Sequence, residues 1–420
     1  MSKLAIHGGP KVLPRGLGVR WPIFDKADEA ALLRTFRSGQ WWRGGTIEQQ
    51  AASATGQFER AYAAYHDAPY GLACCNGTIA VELALRVAGV RPGDEVVVPD
   101  LSFVVTASAA LPIGAVPVFA DSDPDTYQVD PDAVEAAITP RTTCICIVHF
   151  GGYPADLDRI VRIARKHKLT LIEDCAHAQG TQWRGRGVGT YGRFGTFSFQ
   201  QSKALTAGEG GIVLAQNLDD WRGLYRFHHL GRLESKGFYD FYEVSSNYRL
   251  TDLQGALLGS QLGKLKKQVP RKMAAARYLG KLLGQVGGLA LLPDDSRITR
   301  RGYYFVVMKY DAEAFGGLNR ETFRAAMAAE GVPIGKGYGT PIHQYPLFQD
   351  MKVPARHAKA QYRRVRCPVT ERVLREELCT MSHTTLLADR PKLAKIAEAV
   401  AKIKDNLDEL RSRPVRRAKK

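Results

Sequence analysis

The chain has 420 residues, 45% hydrophobic and 24% charged, with a formal net charge of +17. That length allows a sizeable core in one or two globular domains, and no run of 18 apolar residues occurs, so no membrane span is expected. The positive charge is compatible with nucleic acid or an anionic substrate, but the basic residues are spread along the chain and show no helix-turn-helix or zinc-finger spacing, so no nucleic-acid partner is expected.

The first residues, Met1 to Pro10, lack the apolar core of a secretory signal. The cysteines at 74, 75, 144, 146, 175, 367 and 379 match no disulfide framework and no paired C-x-x-C zinc spacing. They read as small core residues of a cytoplasmic protein, with no metal site expected. Residues 1–45 are rich in Gly, Pro and Trp, with one amphipathic stretch from Asp25 to Phe36. Trp41 and Trp42 close this arm. Either one packs while the other lines a pocket, or both cover an interface. A second helix is predicted from Gln57 to Tyr65.

Asn76, Gly77 and Thr78 lead into an apolar run, Ile79 to Ala88, which reads as a helix ending at Gly89. Gly77 and Thr78 at its start would offer backbone N–H groups and a hydroxyl to an anion, most often phosphate. A plain threonine cap is the alternative. Strands and helices then alternate. Strands are predicted at Glu95–Val98, Val116–Ala120, Thr143–His149 and Leu169–Glu173. Helices are predicted at Phe103–Ala110, from Asp130-Pro131 to Ile138, and through Leu157, Ile160, Val161 and Ala164. This order implies a mostly parallel sheet covered on both faces. Asp174 then falls at the carboxyl end of a parallel strand, where open α/β sheets place their ligands. It must be solvated, paired or bound to something cationic there.

Phe197 and Phe199 alternate with Thr196 and Ser198, a short buried strand. Lys203 follows among Ser202, Ala204, Thr206 and Ala207, before Gly208, Gly210 and Gly211 and a second apolar strand, Ile212 to Ala215. A lysine in a turn between two apolar strands is poorly hydrated, which lowers its pKa and makes its amine a nucleophile. The alternative is a surface turn that contains a lysine. Beyond Asp252 a long helical segment runs to about Leu283, interrupted by Pro270. A strand at Tyr303–Tyr310, a helix at Arg320–Glu330 and a final amphipathic helix at Leu393–Leu410 complete a smaller α+β unit. The expected division is residues 1–265, an N-terminal arm and large domain, and residues 266–420, a small C-terminal domain. The basic tail from Arg411 to Lys420 reads as a solvated end.

A phosphate grip, an aromatic face at Phe103, Asp174 at a central strand end and Lys203 in a buried turn are the parts a pyridoxal phosphate site needs. Their sequence contexts resemble the DegT/DnrJ/StrS family of sugar and cyclitol aminotransferases. The matching stretches are Gly8-Gly9-Pro10, Asn76-Gly77-Thr78, Glu173 to His177, Thr196 to Lys203, Gly208 to Gly211 and Ser246 to Leu250. They span nearly the whole chain in the family's order. The resemblance implies an α/β protein of fold type I, the aspartate aminotransferase-like fold. A large, mostly parallel sheet would carry pyridoxal 5'-phosphate in a homodimer.

By the same resemblance, Lys203 carries the cofactor covalently and Asp174 pairs with its ring nitrogen. Phe103 stacks on the ring and His177 lies beside it. Gly77, Thr78 and Ser198 hold the phosphate, and Asn247 reaches the phosphate of the neighbouring subunit's cofactor. Some relatives carry histidine at the lysine position and catalyse dehydration; Lys203 favours transamination.

Gln40 to Arg43, Phe197 to Gln200 and Thr206 to Gly211 resemble the cyclitol branch, which contains glutamine:scyllo-inosose aminotransferases, with aminohydroxybenzoate synthases close by. The implied reaction converts a keto-cyclitol or keto-sugar to its amine, with glutamine or glutamate as donor, in aminoglycoside-type pathways. A nucleotide-keto-sugar aminotransferase, a dehydratase-like or aromatising enzyme, and a non-catalytic cofactor-binding sensor are the alternatives. Trp42, Arg43, Tyr338 and His343 are candidates for the outer substrate pocket. Arg43 could bind a donor carboxylate bidentately, or be a surface arginine. His343 could bond a substrate hydroxyl, or a backbone group. The segment Phe227 to Arg232 departs from the family's Arg-x-His-Gly pattern, which leaves a role for that loop open.

Overall fold

The computed structural model describes residues 3–237, 239–350 and 362–412. Most of the predicted basic tail therefore lies outside the described residues. Before the first strand come helices α1 (Lys26–Ser38), α2 (Ile47–Ala52) and α3 (Ala54–Tyr65). Asp25 caps α1 in a capping box with Asp28.

The next strands and helices alternate as β1 (Tyr70–Cys74), α4 (Gly77–Val87), β2 (Glu95–Pro99), α5 (Val105–Ser108), β3 (Val116–Ala120), α6 (Pro131–Ala136), β4 (Thr142–Val148), α7 (Leu157–Lys166) and β5 (Thr170–Asp174). A short pair follows, β6 (Gln182–Trp183) and β7 (Arg186–Gly187). Then come β8 (Phe194–Ser198), β9 (Gly211–Ala215), α8 (Leu218–His228) and α9 (Asp252–Val286). Seven strands form one sheet in the order β1-β9-β8-β5-β4-β2-β3. β3, β2, β4, β5 and β8 are parallel, whereas β9 runs antiparallel to both β8 and β1.

The strands are near-continuous apolar runs because both faces are covered. Alternate side chains go to opposite sides. Val97, Ile145, Ile147, Leu171 and Phe197 pack with Phe58 of α3 and Leu258 and Leu262 of α9. Val96, Val98, Cys144, Cys146, Ile172 and Phe194 pack with Leu83 and Leu85 of α4 and Leu224 of α8. All seven cysteines are unpaired, six of them buried, as small core residues should be.

The C-terminal part contributes β10 (Leu289–Leu291), β11 (Ile298–Arg300), β12 (Phe305–Tyr310), α10 (Arg320–Ala329) and β13 (Leu378–Ser382). β10, β12 and β13 make an antiparallel sheet, while β11 pairs with β6. A third core forms here from Ala276, Leu279 and Leu283 of α9, Phe323 and Met327 of α10, and Ile396 and Val400 of a helix at Arg390–Lys404. Leu4 and Leu13 also pack in this core.

Three helix predictions are corrected. α9 is one helix of 35 residues that passes through Pro270 without a break. Its two halves are buried in two different cores, and that packing outweighs the proline penalty. The last helix is two, Arg390–Lys404 and Leu407–Ser412. The helix expected from Phe103 begins only at Val105, which leaves Phe103 outside it. Among the described residues no helix is long and apolar enough to cross a membrane.

Candidate active site

The carboxyl ends of β4, β5 and β8 open on a cavity of about 550 Å³. Its wall brings together Gly77, Thr78, Phe103, Asp174, His177 and Ser198, with Lys203 and Tyr338. They come from positions some 260 residues apart at the extremes. The topology gathers them because parallel strands all end on one edge.

Asn76 caps α4 by accepting from the Ile79 N–H at 2.9 Å. The plain-threonine-cap alternative is thereby excluded, since Thr78 sits in the first turn instead. The N–H groups of Gly77 and Thr78 have no acceptor within their own helix and lie at its positive end. Gly77 presses on β8: a Cβ there would lie 2.6 Å from Ser198 Cβ and 3.0 Å from its Oγ. Only glycine lets the Ser198 hydroxyl stand beside the helix start. Two N–H groups and one hydroxyl thus converge in an arrangement that could cradle an anion.

Asp174 ends β5 and is 6% exposed. Burial pushes its carboxyl up. The N–H of Ala176, the Thr106 hydroxyl and the charge of Lys203 oppose that, in this order. Ala176 N–H donates to Oδ1 at 3.1 Å and Thr106 Oγ1 to Oδ2 at 2.8 Å. Lys203 follows β8 in a turn closed by its N–H to the Gln200 carbonyl at 2.8 Å. Burial of the amine pushes it down to about 8, against the charge of Asp174. The turn itself lies at the surface at Gln201 and Ser202, whereas Lys203 is only partly exposed and lines the cavity.

His177 is buried and stacks on Tyr304 with centroids 4.3 Å apart. Gly151 N–H donates to its Nδ1 at 3.4 Å, so Nε2 carries the hydrogen toward Tyr338 Oη at 2.9 Å. Burial, helped by the charge of Lys203, holds its pKa well below the ordinary value, and the ring is neutral. Phe103 is 51% exposed and turned to the cavity, 5.7 Å from the ring of Tyr338.

These residues fit a pyridine ring carrying a phosphate. The cradle a Cβ would fill could take the phosphate, the buried carboxylate could meet the ring nitrogen, Phe103 and His177 could offer faces to the ring, and Lys203 could supply the amine.

Four predicted residues lie elsewhere. Arg43 does not line the cavity: its Nη2 is buried against Glu59 Oε2 at 2.8 Å. Its charge answers a carboxylate within the chain rather than a donor's. His343 is corrected likewise, buried with Nδ1 at 2.7 Å from Asp100 Oδ2. Trp42 bridges to Thr251 and stays 43% exposed, outside the cavity lining. Asn247 is exposed, its Oδ1 accepting from the Arg249 N–H at 3.2 Å.

Sequence reasoning missed Thr106, Ser102 and Tyr304. Thr106 lies three positions after Phe103, one turn on in the helix expected from the sequence, and that spacing was its available signal. Tyr304 was read only as part of a strand, yet its ring covers both His177 and the Lys203 amine.

Residues 23–400 match the family model described as the DegT/DnrJ/EryC1/StrS aminotransferase family. The chain is 41% identical to a Streptomyces kanamyceticus protein named as an L-glutamine:3-amino-2,3-dideoxy-scyllo-inosose aminotransferase, over 82% of this chain and 84% of that one. It is 36% identical to the L-glutamine:2-deoxy-scyllo-inosose aminotransferase of the same organism, over 96% of this chain and 97% of that one. Among solved structures, 3-amino-5-hydroxybenzoic acid synthase superposes with a TM-score of 0.82 at 34% identity, covering 91% of this chain and 97% of that one.

Proposed function

This chain belongs to the DegT/DnrJ/EryC1/StrS aminotransferase family and is a pyridoxal 5'-phosphate-dependent enzyme of fold type I; from that premise we propose that it transfers the amino group of L-glutamine to a keto-cyclitol of the scyllo-inosose kind. The observation that carries this reading is the Lys203 amine, held in the same cavity as the buried Asp174 carboxylate. The names of the relatives at 36% and 41% identity support the donor and the ketone class.

The proposed roles follow from the geometry. Gly77, Thr78 and Ser198 bind the cofactor phosphate, Phe103 and His177 flank its ring, and Asp174 keeps the ring nitrogen protonated. When bound, the cofactor supplies an aldehyde that takes up amines and a cationic ring that draws off electron density. Lys203 Nζ, near neutrality in its pKa, is suited to take a proton from the carbon of the donor and to return one to the acceptor. His177, neutral and with both ring nitrogens bonded within the chain, presents its face without adding charge. Phe103, Tyr304 and Tyr338 give that exchange an aromatic wall.

A homodimer is part of the proposal. Phe24, Leu33, Phe36, Trp41 and Trp42 are exposed, as are Phe241, Tyr242 and Val244, and side chains of that size support contact with a second copy. Asn247, exposed and outside its own cavity, would serve the phosphate of that copy. Seven unpaired thiols support action in a reducing cytoplasm.

A second reading, an aromatising enzyme of the aminohydroxybenzoate type, is favoured by the superposition on that synthase. Incubation with L-glutamine and then with keto-cyclitols, keto-sugar nucleotides or an aminohydroxybenzoate precursor separates the two. The expected outcome is an amine formed only from the keto-cyclitol, detected by mass spectrometry. Formation of the aromatic product alone would overturn the first reading.

A further inference from the structure

Asp174 must be an anion for its proposed role, yet burial favours its neutral form. The Ala176 N–H, two residues past Asp174, and the charge of Lys203 offset part of that. The remaining hydrogen comes from 68 positions earlier, where Thr106 Oγ1 donates to Asp174 Oδ2 at 2.8 Å. Ser102 Oγ lies 3.1 Å from Thr106 Oγ1. The single hydrogen of Thr106 is committed to the carboxylate, so Ser102 is the donor in that second contact. Two hydroxyls therefore point in sequence at one carboxylate. Both bonds favour the ionised carboxyl, because a protonated one accepts a hydrogen more weakly.

Ser102 is 2% and Thr106 1% exposed, so bulk water does not compete for either hydroxyl. The branched Cβ of threonine restricts its rotamers, which fixes the direction of the donated hydrogen. The same five-residue segment carries Phe103, and so ties the ring-facing aromatic to the group that meets the ring nitrogen.

We propose that Thr106, backed by Ser102, is a positioning residue that keeps Asp174 ionised and aimed at the ring nitrogen of the cofactor. This rests on the reading of Asp174 as the partner of that nitrogen. A hydrogen bond to a buried charge is strong enough that its loss weakens cofactor binding by roughly tenfold.

The test uses the full-length protein with pyridoxal 5'-phosphate, comparing wild type with Thr106→Val, Thr106→Ser, Ser102→Ala and Asp174→Asn. The readouts are the cofactor dissociation constant by equilibrium dialysis and the absorbance of the bound cofactor against pH. Thr106→Val is expected to raise the dissociation constant roughly tenfold and to move the absorbance midpoint. Thr106→Ser restores both, and Ser102→Ala moves the midpoint less in the same direction. A folded Thr106→Val protein with wild-type affinity and midpoint would overturn the proposal while Asp174→Asn still disrupts both. Should Thr106→Val not fold, an unchanged midpoint in Ser102→Ala overturns it instead. If Asp174→Asn alters neither readout, the reading of Asp174 itself is wrong.

Discussion

Lys203 Nζ lies over the face of Tyr304, 4.2 Å from the ring centroid. The tyrosine is anchored at its other end by a 2.9 Å bond between its hydroxyl and Ser202 Oγ, in the turn that carries the lysine. An aromatic face steadies an ammonium by about 0.5–2 kcal/mol, so Tyr304 opposes part of the burial effect on Lys203. Uptake of pyridoxal phosphate by the apoprotein needs the neutral amine. Its rate should therefore rise with pH through a midpoint near 8, the value burial gives this amine. Tyr304→Leu should move that midpoint lower, because the charged form loses its support. Tyr304→Phe, which keeps the ring, should leave it nearly in place. Lys203→Ala should abolish turnover.

The approach of Gly77 to Ser198 makes a second prediction. Gly77→Ala puts a methyl 2.6 Å from Ser198 Cβ, inside contact distance. Either the start of α4 or the end of β8 must shift, and both carry groups proposed to bind the phosphate. Cofactor affinity should fall by about ten- to a hundredfold, the loss expected for one or two misplaced charge-assisted hydrogen bonds. Equilibrium dialysis measures it. Thermal stability should change much less, and an alanine variant with unaltered affinity would remove the cradle from the phosphate site.

The parts of the site that could be read from sequence sit where a regular pattern stops. Asp174 ends an apolar strand, Gly77 and Thr78 begin a helix, and Lys203 lies between two strands. Periodicity marks such places without knowledge of the tertiary fold. Tyr304 and Thr106 act through contacts across 102 and 68 positions, and no local pattern encodes those distances. Arg43 misled for a related reason. Its fork suits any carboxylate, and the one it meets is Glu59, one helix further along the chain. Pro270 misled because two cores grip α9 on either side of it.

That buried pair yields the third prediction. Arg43 and Glu59 are 3% and 5% exposed, and Glu59 Oε1 also accepts from the Ala73 N–H of β1 at 2.7 Å. Burial raises the Glu59 carboxyl to about 7 despite the guanidinium beside it. Arg43→Met should cost about 3–5 kcal/mol, since it leaves a buried carboxylate uncompensated. A carboxyl raised in the folded state gives stability that is complete below its unfolded value of 4.5 and is lost as pH rises through the folded value. Removing Arg43 raises that folded value further. The deficit of the variant, read from urea unfolding, should therefore widen as pH rises above about 7, where Glu59 ionises in folded wild type and not yet in the variant, and Arg43→Met with Glu59→Gln should recover part of it. KM for the amino donor should stay near that of wild type.

Lys272 gives the last prediction, on stability alone. It sits in α9, fully buried, and its Nζ has no hydrogen-bond partner among the described residues. Burial alone pushes the amine down to about 7. Below that value both folded and unfolded chains hold the proton, and the folded state bears the whole cost of a buried charge. Between about 7 and the ordinary value of 10.5 the unfolded chain binds more protons than the folded one, so this group makes stability rise with pH. Methionine matches the length and flexibility of the lysine stem without its charge. Lys272→Met should therefore be more stable than wild type by about 1–3 kcal/mol at pH 6. Its advantage should shrink steadily toward pH 10, as the wild-type amine becomes neutral on its own. Chemical unfolding at pH 6, 8 and 10 measures the gap. A variant less stable than wild type at all three would mean that the amine has a stabilising partner, and that its burial is not the penalty the fold implies.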